Sequence, residues 1–252
     1  MTGFSDRKLF LIAAPLAAGA LFLALLIDRA GAGEMAKSAV RAIAGKVAPR
    51  TVDQAIGIYG KAARQRMAPH FKRARIEYPP DSLCLLALKQ EMRLDVYSPE
   101  PESGSLKLVV SYPILAASGD PGPKLKQGDS QVPEGIYKIS SFNPNSLYHL
   151  SLRVNYPNVF DRSQAALEKR SNLGGDIMIH GSNCSIGCIA IGDEKIEELF
   201  TLVRDVRKEN TSLLIAPCDL RLKEPDIDYK HQPSWLPELY ENLRREMAAL
   251  PV

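Results

Sequence analysis

The chain has 252 residues; 45% are hydrophobic and 24% charged, and 32 Lys+Arg against 29 Asp+Glu leave a net charge of +3. This is ordinary globular usage. It excludes a wholly disordered chain, a collagen-like chain and a multi-span membrane protein, and so small a charge argues against a chain devoted to nucleic acid.

The charge is unevenly spread. Residues 9–27 (LFLIAAPLAAGALFLALLI) carry none and follow Arg7-Lys8. As a helix this run spans about 28 Å, close to a bilayer core and longer than an ordinary signal core. Residues 1–33 are therefore expected to be a signal-anchor in the inner membrane, with cleavage near Ala30-Gly31-Ala32 as the other reading. Either places the rest of the chain outside the cytoplasm, in the periplasm if anchored. One count opposes this: Arg29, Lys37, Arg41 and Lys46 follow the run, more cations than precede it.

Residues 28–75 carry eleven Lys/Arg and three acids. The Ala-rich composition suits helix, while Gly45, Pro49, Gly57 and Gly60 are expected to break it into short pieces. Residues 34–80 thus read as a basic helical spacer, or as a basic face against anionic lipid.

From Asp81 short strands are expected at 82–88, 92–97, 106–112, 136–139, 148–156, 177–179 and 212–216. In the fifth, Tyr148, Leu150, Leu152, Val154 and Tyr156 alternate with His149, Ser151, Arg153 and Asn155, so one face is assigned to core and the other to a cleft. The Gly/Pro-rich stretch 117–132 is long enough for a functional or mobile loop. One helix starts at Asp193, which is expected to cap it, with Ile196, Leu199, Phe200, Val203 and Val206 as its apolar stripe. Another runs from about Pro237 to Ala249. The fold class is α+β, mainly β with a few helices. Residues 81–222 form the main domain and 223–252 a C-terminal helical extension.

The chemistry is concentrated in residues 176–193, DIMIHGSNCSIGCIAIGD. A strand delivers His180 into a glycine-bearing loop, and Cys188 follows eight residues later. An imidazole beside a thiol lowers the thiol pKa and can return its proton to a leaving amine. The N–H groups of Gly187 and Cys188 can hold an oxyanion. The carbonyl of Ser185 is placed to receive the other imidazole N–H. Two further readings stay open: a partial metal site in H-x3-C-x3-C (His180, Cys184, Cys188), which lacks finger spacing, and a buried cysteine beside a satisfied histidine. No metal or cofactor is expected. Cys84 and Cys218 read as core cysteines, with a disulfide open to them in an oxidising compartment. Cys184 could pair with Cys188 and block it. His70 and His231 receive no role, and Trp235 reads as a packing anchor.

His180-Gly181 and Ser185-Ile186-Gly187-Cys188 resemble the hallmark of the L,D-transpeptidase (YkuD-type) catalytic domain. Gly122-Pro123-Lys124, Gly128-Asp129 and Val132–Tyr137 resemble its upstream "PEG-x-Y" element, and the short His-to-Cys loop is most similar to the YafK-like branch. The resemblance implies an L,D-transpeptidase-like β-sandwich and a Cys188 acyl-enzyme formed on peptidoglycan stem peptides. It makes His180 the base and then the acid, Gly187 and Cys188 the oxyanion donors, and Ser185 the group that orients His180. An outer-membrane lipoprotein is a further partner it implies. Many family members carry Arg two residues after the cysteine; here that position is Ala190. His149, Arg153, Lys124, Gly181 and Asn183 are the expected substrate-side residues, with Arg153 or Lys124 replacing the absent Arg. An amidase or peptidase of the same fold, and a non-catalytic cell-wall-binding module, are the alternatives.

Overall fold

The computed structural model describes residues 49–252, so the expected membrane segment 9–27 lies outside the described residues. Among the described residues no helix is long and apolar enough to cross a membrane.

The first element is one continuous helix, α1 (Val52–Ala74), rather than short pieces. Thr51 Oγ1 accepts from the Gln54 N–H and Gln54 Oε1 from the Thr51 N–H, a reciprocal cap. Gly57, Gly60 and Pro69 weaken the helix intrinsically, but tertiary packing outweighs propensity. Ala55, Ala63, Met67 and Phe71 form a buried stripe at helical spacing. The stripe faces α3 (Asp193–Val206), which follows a short helix α2 (Val159–Leu167) not expected from the sequence, and polar pairs flank the contact. Arg64 forks onto Asp205 at 2.7 Å, and Arg66 reaches Glu198 at 2.7 Å and Glu197 at 2.9 Å. The expected spacer is therefore, from residue 50 on, part of the folded body. Two of its expected lipid-facing cations are spent on carboxylates of α3.

Among the described residues nine strands form one continuous order, β3-β2-β1-β9-β5-β6-β7-β8-β4. They are β1 (Leu83–Leu88), β2 (Arg93–Pro99), β3 (Leu106–Pro113), β4 (Ala116–Ala117), β5 (Gly135–Ser146), β6 (His149–Val154), β7 (Met178–His180), β8 (Ile189–Ala190) and β9 (Thr211–Ala216). The expected β-sandwich is here a single sheet whose halves share β5. The first residues of β5 pair with β9 and the later ones with β6. Helices and strands contribute comparably, so the class is mixed α+β rather than mainly β.

Alternate residues of the central strands enter opposite cores. Leu85, Ala87, Leu213 and Ile215 join α1 and α3 in one cluster. Leu86, Leu88 and Leu214 join α4 (Leu236–Met247) through Leu239, Leu243 and Met247 in the other. Burial on both faces explains why β1 and β9 read as near-continuous apolar runs. The expected C-terminal extension is the cover of the second face.

The 117–132 loop is pinned. The Lys89 ammonium, 7% exposed, donates to the Asp120 carbonyl at 2.8 Å, Val132 at 3.2 Å and Gly122 at 3.3 Å, and pairs with Glu134 at 2.9 Å. Glu134 also accepts from the Gly122 N–H at 2.9 Å and from Tyr240 Oη of α4 at 2.7 Å. Glu134 of the "PEG" element is thus a buried anchor.

Candidate active site

Strands β7 and β8 run parallel, with Ile179 opposite Ile189 and His180 opposite Ala190. Side chains alternate with period two, so Cys188, one residue before Ile189, shares a sheet face with Ala190 and His180. A three-residue strand ending on histidine, a tight loop, and a strand beginning just after cysteine set the two groups on neighbouring stretches of chain.

Gly181 has to be glycine: a Cβ there would lie 2.5 Å from Asp193 Oδ1 and 2.7 Å from the Tyr148 carbonyl. The expectation that Asp193 caps α3 is not met: Gly192 takes the cap position, with no side-chain cap bond. The Asp193 carboxylate instead accepts the Ser182 N–H at 2.7 Å and ties down the loop after His180.

His180 is buried, and its Nδ1 lies 2.6 Å from the Gly181 carbonyl. A carbonyl can only accept, so Nδ1 carries the proton and Nε2 a lone pair. The orienting carbonyl is therefore that of Gly181, the histidine's own neighbour, and not that of Ser185. The Tyr148 ring stacks on the imidazole at 4.7 Å and 28°. Sequence alternation assigned Tyr148 to the core, yet it is 40% exposed. His149 has φ +73° and breaks the alternation there. No sequence signal marks Tyr148, and it is the site residue that sequence reasoning missed.

Cys188 is half-buried, and its thiol donates to the Asp176 carbonyl at 3.6 Å. Burial pushes the Cys188 thiol up from its ordinary value, although the Met178 backbone N–H acts the other way. Burial likewise pushes the His180 imidazole down, opposed by the Gly181 carbonyl. The expected lowering of the thiol by its histidine is not seen. Both groups are therefore neutral at rest, and Nε2 makes no hydrogen bond among the described residues.

The expected oxyanion donors are both occupied. The Gly187 N–H donates to Ser118 Oγ at 2.5 Å and the Cys188 N–H to Ser185 Oγ at 3.1 Å. Ser185 Oγ in turn donates to the Cys188 carbonyl at 2.6 Å, so its side chain braces the loop.

The expected substrate-side residues divide. Lys124 is buried, pairs with Asp129 and donates to the Lys126 carbonyl at 3.0 Å; it fastens the loop and is not a free cation. Arg153 pairs with Asp176, whose carbonyl holds the thiol, so it stands near the site but is already partnered. The His149 ring turns to Glu197 at 2.9 Å and to Tyr59 of α1, away from the expected cleft. Asn183 is exposed and its side chain makes no hydrogen bond among the described residues. Ala190 is fully buried. All four cysteines are free. Among the described residues no group of three His, Cys, Asp or Glu gathers to hold a metal, so His180, Cys184 and Cys188 form no such site.

A cleft of ≈ 710 Å³ lies between the pinned loop and residues 169–172. Lys126, Lys169 and Arg170 line it, with Asp120, Asp129 and His231. Neither His180 nor Cys188 lines it, and two stretches of chain connect its banks to the cysteine loop. Gln131, also on the lining, brings its carbonyl within 3.4 Å of where a Cβ on Gly187 would be. The chain beyond Asn172 runs to Asp176, the acceptor of the thiol.

Residues 95–213 match the YkuD family, the L,D-transpeptidase catalytic domain, and the resemblance read from the motifs holds for this segment. The curated protein YafK of Escherichia coli (strain K12), named as a candidate L,D-transpeptidase, is 37% identical over 117 residues, which are 46% of this chain and 44% of YafK. The matched segment thus spans less than half of that relative. Among solved structures, the helical cell shape determining protein Pgp2 of Campylobacter jejuni is 25% identical, with 55% of this chain and 49% of that chain covered at a TM-score of 0.42. L,D-transpeptidase 1 of Mycobacterium tuberculosis is 15% identical, with 54% and 62% covered at a TM-score of 0.32. Both superpositions are loose, and no residue role is carried over from them.

Proposed function

We propose that this protein is a cysteine acyltransferase acting on peptidoglycan stem peptides, in the manner of an L,D-transpeptidase, in cell-wall remodelling. The observation that carries the reading is the shared face of His180 and Cys188, with the Gly181 carbonyl fixing the imidazole so that Nε2 is free. When a stem-peptide carbonyl reaches Cys188, the thiol proton passes to Nε2 as sulfur attacks carbon. The imidazolium then gives that proton to the leaving amine. The thioester passes to a second amine, of another stem or of a lipoprotein, or to water.

Ala190 supplies no cation, and Lys124 and Arg153 already have partners. The stem carboxylates are therefore assigned to the cleft, where Lys126 and Lys169 make no ion pair among the described residues. Hydrolysis, as by an amidase of the same fold, is the second reading. It is favoured by the lack of a charged anchor at Ala190, since water needs no anchored acceptor.

The test is the full chain incubated with muropeptides and an amine acceptor, beside Cys188→Ala. New dimers mean transfer, and shortened or released stems mean hydrolysis. Profiles left unchanged by both proteins would sink the enzymatic reading and leave a cell-wall-binding module. Export, with residues 9–27 as inner-membrane anchor, is part of the proposal. Alkaline phosphatase fused after Val252 should be active, and an inactive fusion overturns it.

A further inference from the structure

Four polar groups beside Cys188 form a closed chain. The Gly187 N–H points to Ser118 Oγ at 2.5 Å, Ser118 Oγ lies 3.2 Å from Ser185 Oγ, and Ser185 Oγ donates to the Cys188 carbonyl at 2.6 Å. A serine hydroxyl has one proton. That of Ser185 is spent on the carbonyl, so Ser118 is the donor between the two hydroxyls. Ser185 Oγ thereby accepts from Ser118 Oγ, from the Cys188 N–H at 3.1 Å and from the Ser118 N–H at 3.3 Å. Three donors for two lone pairs over-subscribe it, so one contact can leave without orphaning an acceptor. Ser185 belongs to the loop itself. Ser118 comes from the far end of the pinned loop, just after β4, and is the separable member.

We infer that Ser118 is the resting occupant of the oxyanion site: its hydroxyl holds the Gly187 N–H until the substrate oxygen displaces it by a change of serine rotamer. The inference rests on the acyl-transfer reading above. A buried N–H left without an acceptor is costly, and the hydroxyl removes that cost when no substrate is bound. A neutral carbonyl competes poorly with it. A developing oxyanion competes well, because charge-assisted bonds are the stronger ones. Ser118 is thus a positioning residue that makes the N–H available chiefly to a charged oxygen.

Two reagents on the full chain separate this from a merely structural role. p-Nitrophenyl acetate acylates Cys188: the sulfur–carbon bond forms, the bond to nitrophenolate breaks, and the thiol proton goes to His180. The step passes through an oxyanion. Iodoacetamide alkylates the same sulfur by displacing iodide, with no oxyanion. Because a Ser118 variant keeps Cys188 and His180, the change in the ratio of the two rates at one pH reports the oxyanion site. Peptide mapping assigns each label to Cys188 rather than to the exposed Cys184.

Ser118→Ala is expected to raise the acylation-to-alkylation ratio about 3- to 10-fold, the worth of one hydrogen bond. Ser118→Thr, which restores a hydroxyl, should return it to the wild-type value. An unchanged ratio, or one that falls because the hydroxyl belongs to the site, overturns the inference while Cys188 remains a nucleophile. A Cys188 that takes neither reagent overturns the proposed function and the inference with it. Should Ser118→Ala fail to fold, hydrogen exchange of the Gly187 amide in the wild type decides. Slow exchange is expected, and fast exchange means that the hydroxyl does not hold it.

Discussion

Two polar clusters, both built on the motifs that carry the family resemblance, use their hydrogen-bonding capacity in opposite ways. At Lys89 and Glu134 the buried charges are paired and further bonded to carbonyls, an N–H and a tyrosine hydroxyl. Around His180 and Cys188 capacity is left over. Among the described residues Nε2 has no hydrogen-bond partner, the thiol has one long contact, and Ser151 Oγ, register-paired with His180, is buried without any. Asn183, Cys184 and Ile186 in the connecting loop are exposed. A fully satisfied cluster can only hold the chain, whereas reaction needs a lone pair and a proton that are not yet committed. Prominence in the sequence therefore does not separate these two clusters; unspent bonding capacity does.

The sharpest way to break the contrast is to exchange its consequences. His180→Ala should lower turnover of muropeptides about 10²–10⁴-fold, the usual worth of a general acid–base group, with urea unfolding little changed. Full activity would remove His180 from the reaction. The pH dependence has a definite sign. Burial raises the Cys188 thiol and lowers the His180 imidazole, so the resting pair is neutral at pH 7. Iodoacetamide labelling of Cys188 should therefore be slower at pH 7 than that of a free thiol, and should keep climbing about tenfold per pH unit beyond the ordinary thiol range. A plateau near neutrality would reveal a preformed thiolate.

Lys89→Met strikes the other cluster. It leaves the Glu134 carboxylate buried without its cation, and breaking such a pair costs about 3–5 kcal/mol. Urea unfolding should show that loss, and Lys89→Met/Glu134→Leu should recover much of it. A loss of activity with unchanged stability would move Lys89 into the site and dissolve the comparison.

Most of the fold was legible in the sequence. The strands at 83–88, 93–99, 106–113 and 211–216 and the stripes of α3 and α4 stand within a residue or two of expectation, because each obeys one strong period. His180 and Cys188 stood out as candidates because their spacing and loop glycines suit acyl-transfer chemistry. What escaped depended on distant partners. Gly57, Gly60 and Pro69 argue locally against a long helix, and only the docking of Met67 and Phe71 beside α3 makes α1 continuous. Met67→Ala should accordingly cost about 2–5 kcal/mol on unfolding; a loss under 1 kcal/mol would return α1 to the status of a spacer. Lys124 looked like a free cation because Asp129, five residues on, gives no sign in the sequence that it will turn back onto it. Tyr148 was lost to a single left-handed residue, His149.

The smallest expected effect tests where the working charges lie. Lys124 and Arg153 have partners, while Lys126 and Lys169 face the cleft without one among the described residues. A partly exposed ion pair is worth about 0.2–1 kcal/mol, so Lys126→Ala/Lys169→Ala should raise KM for a stem peptide roughly 2- to 20-fold and leave kcat unchanged. The wild-type KM should rise with salt and the double variant's should not, because only an exposed charge contact is screened over a Debye length. Asp120 on the same lining sets a limit. Of the two lining carboxylates Asp129 is taken by Lys124, and Asp120, left over among the lysines, suits a peptide that carries an amine as well as carboxylates and disfavours a pure polyanion. A salt-independent KM in the wild type would mean that the cleft holds no carboxylate, and that the anchoring of the stem falls to the exposed loop at Asn183.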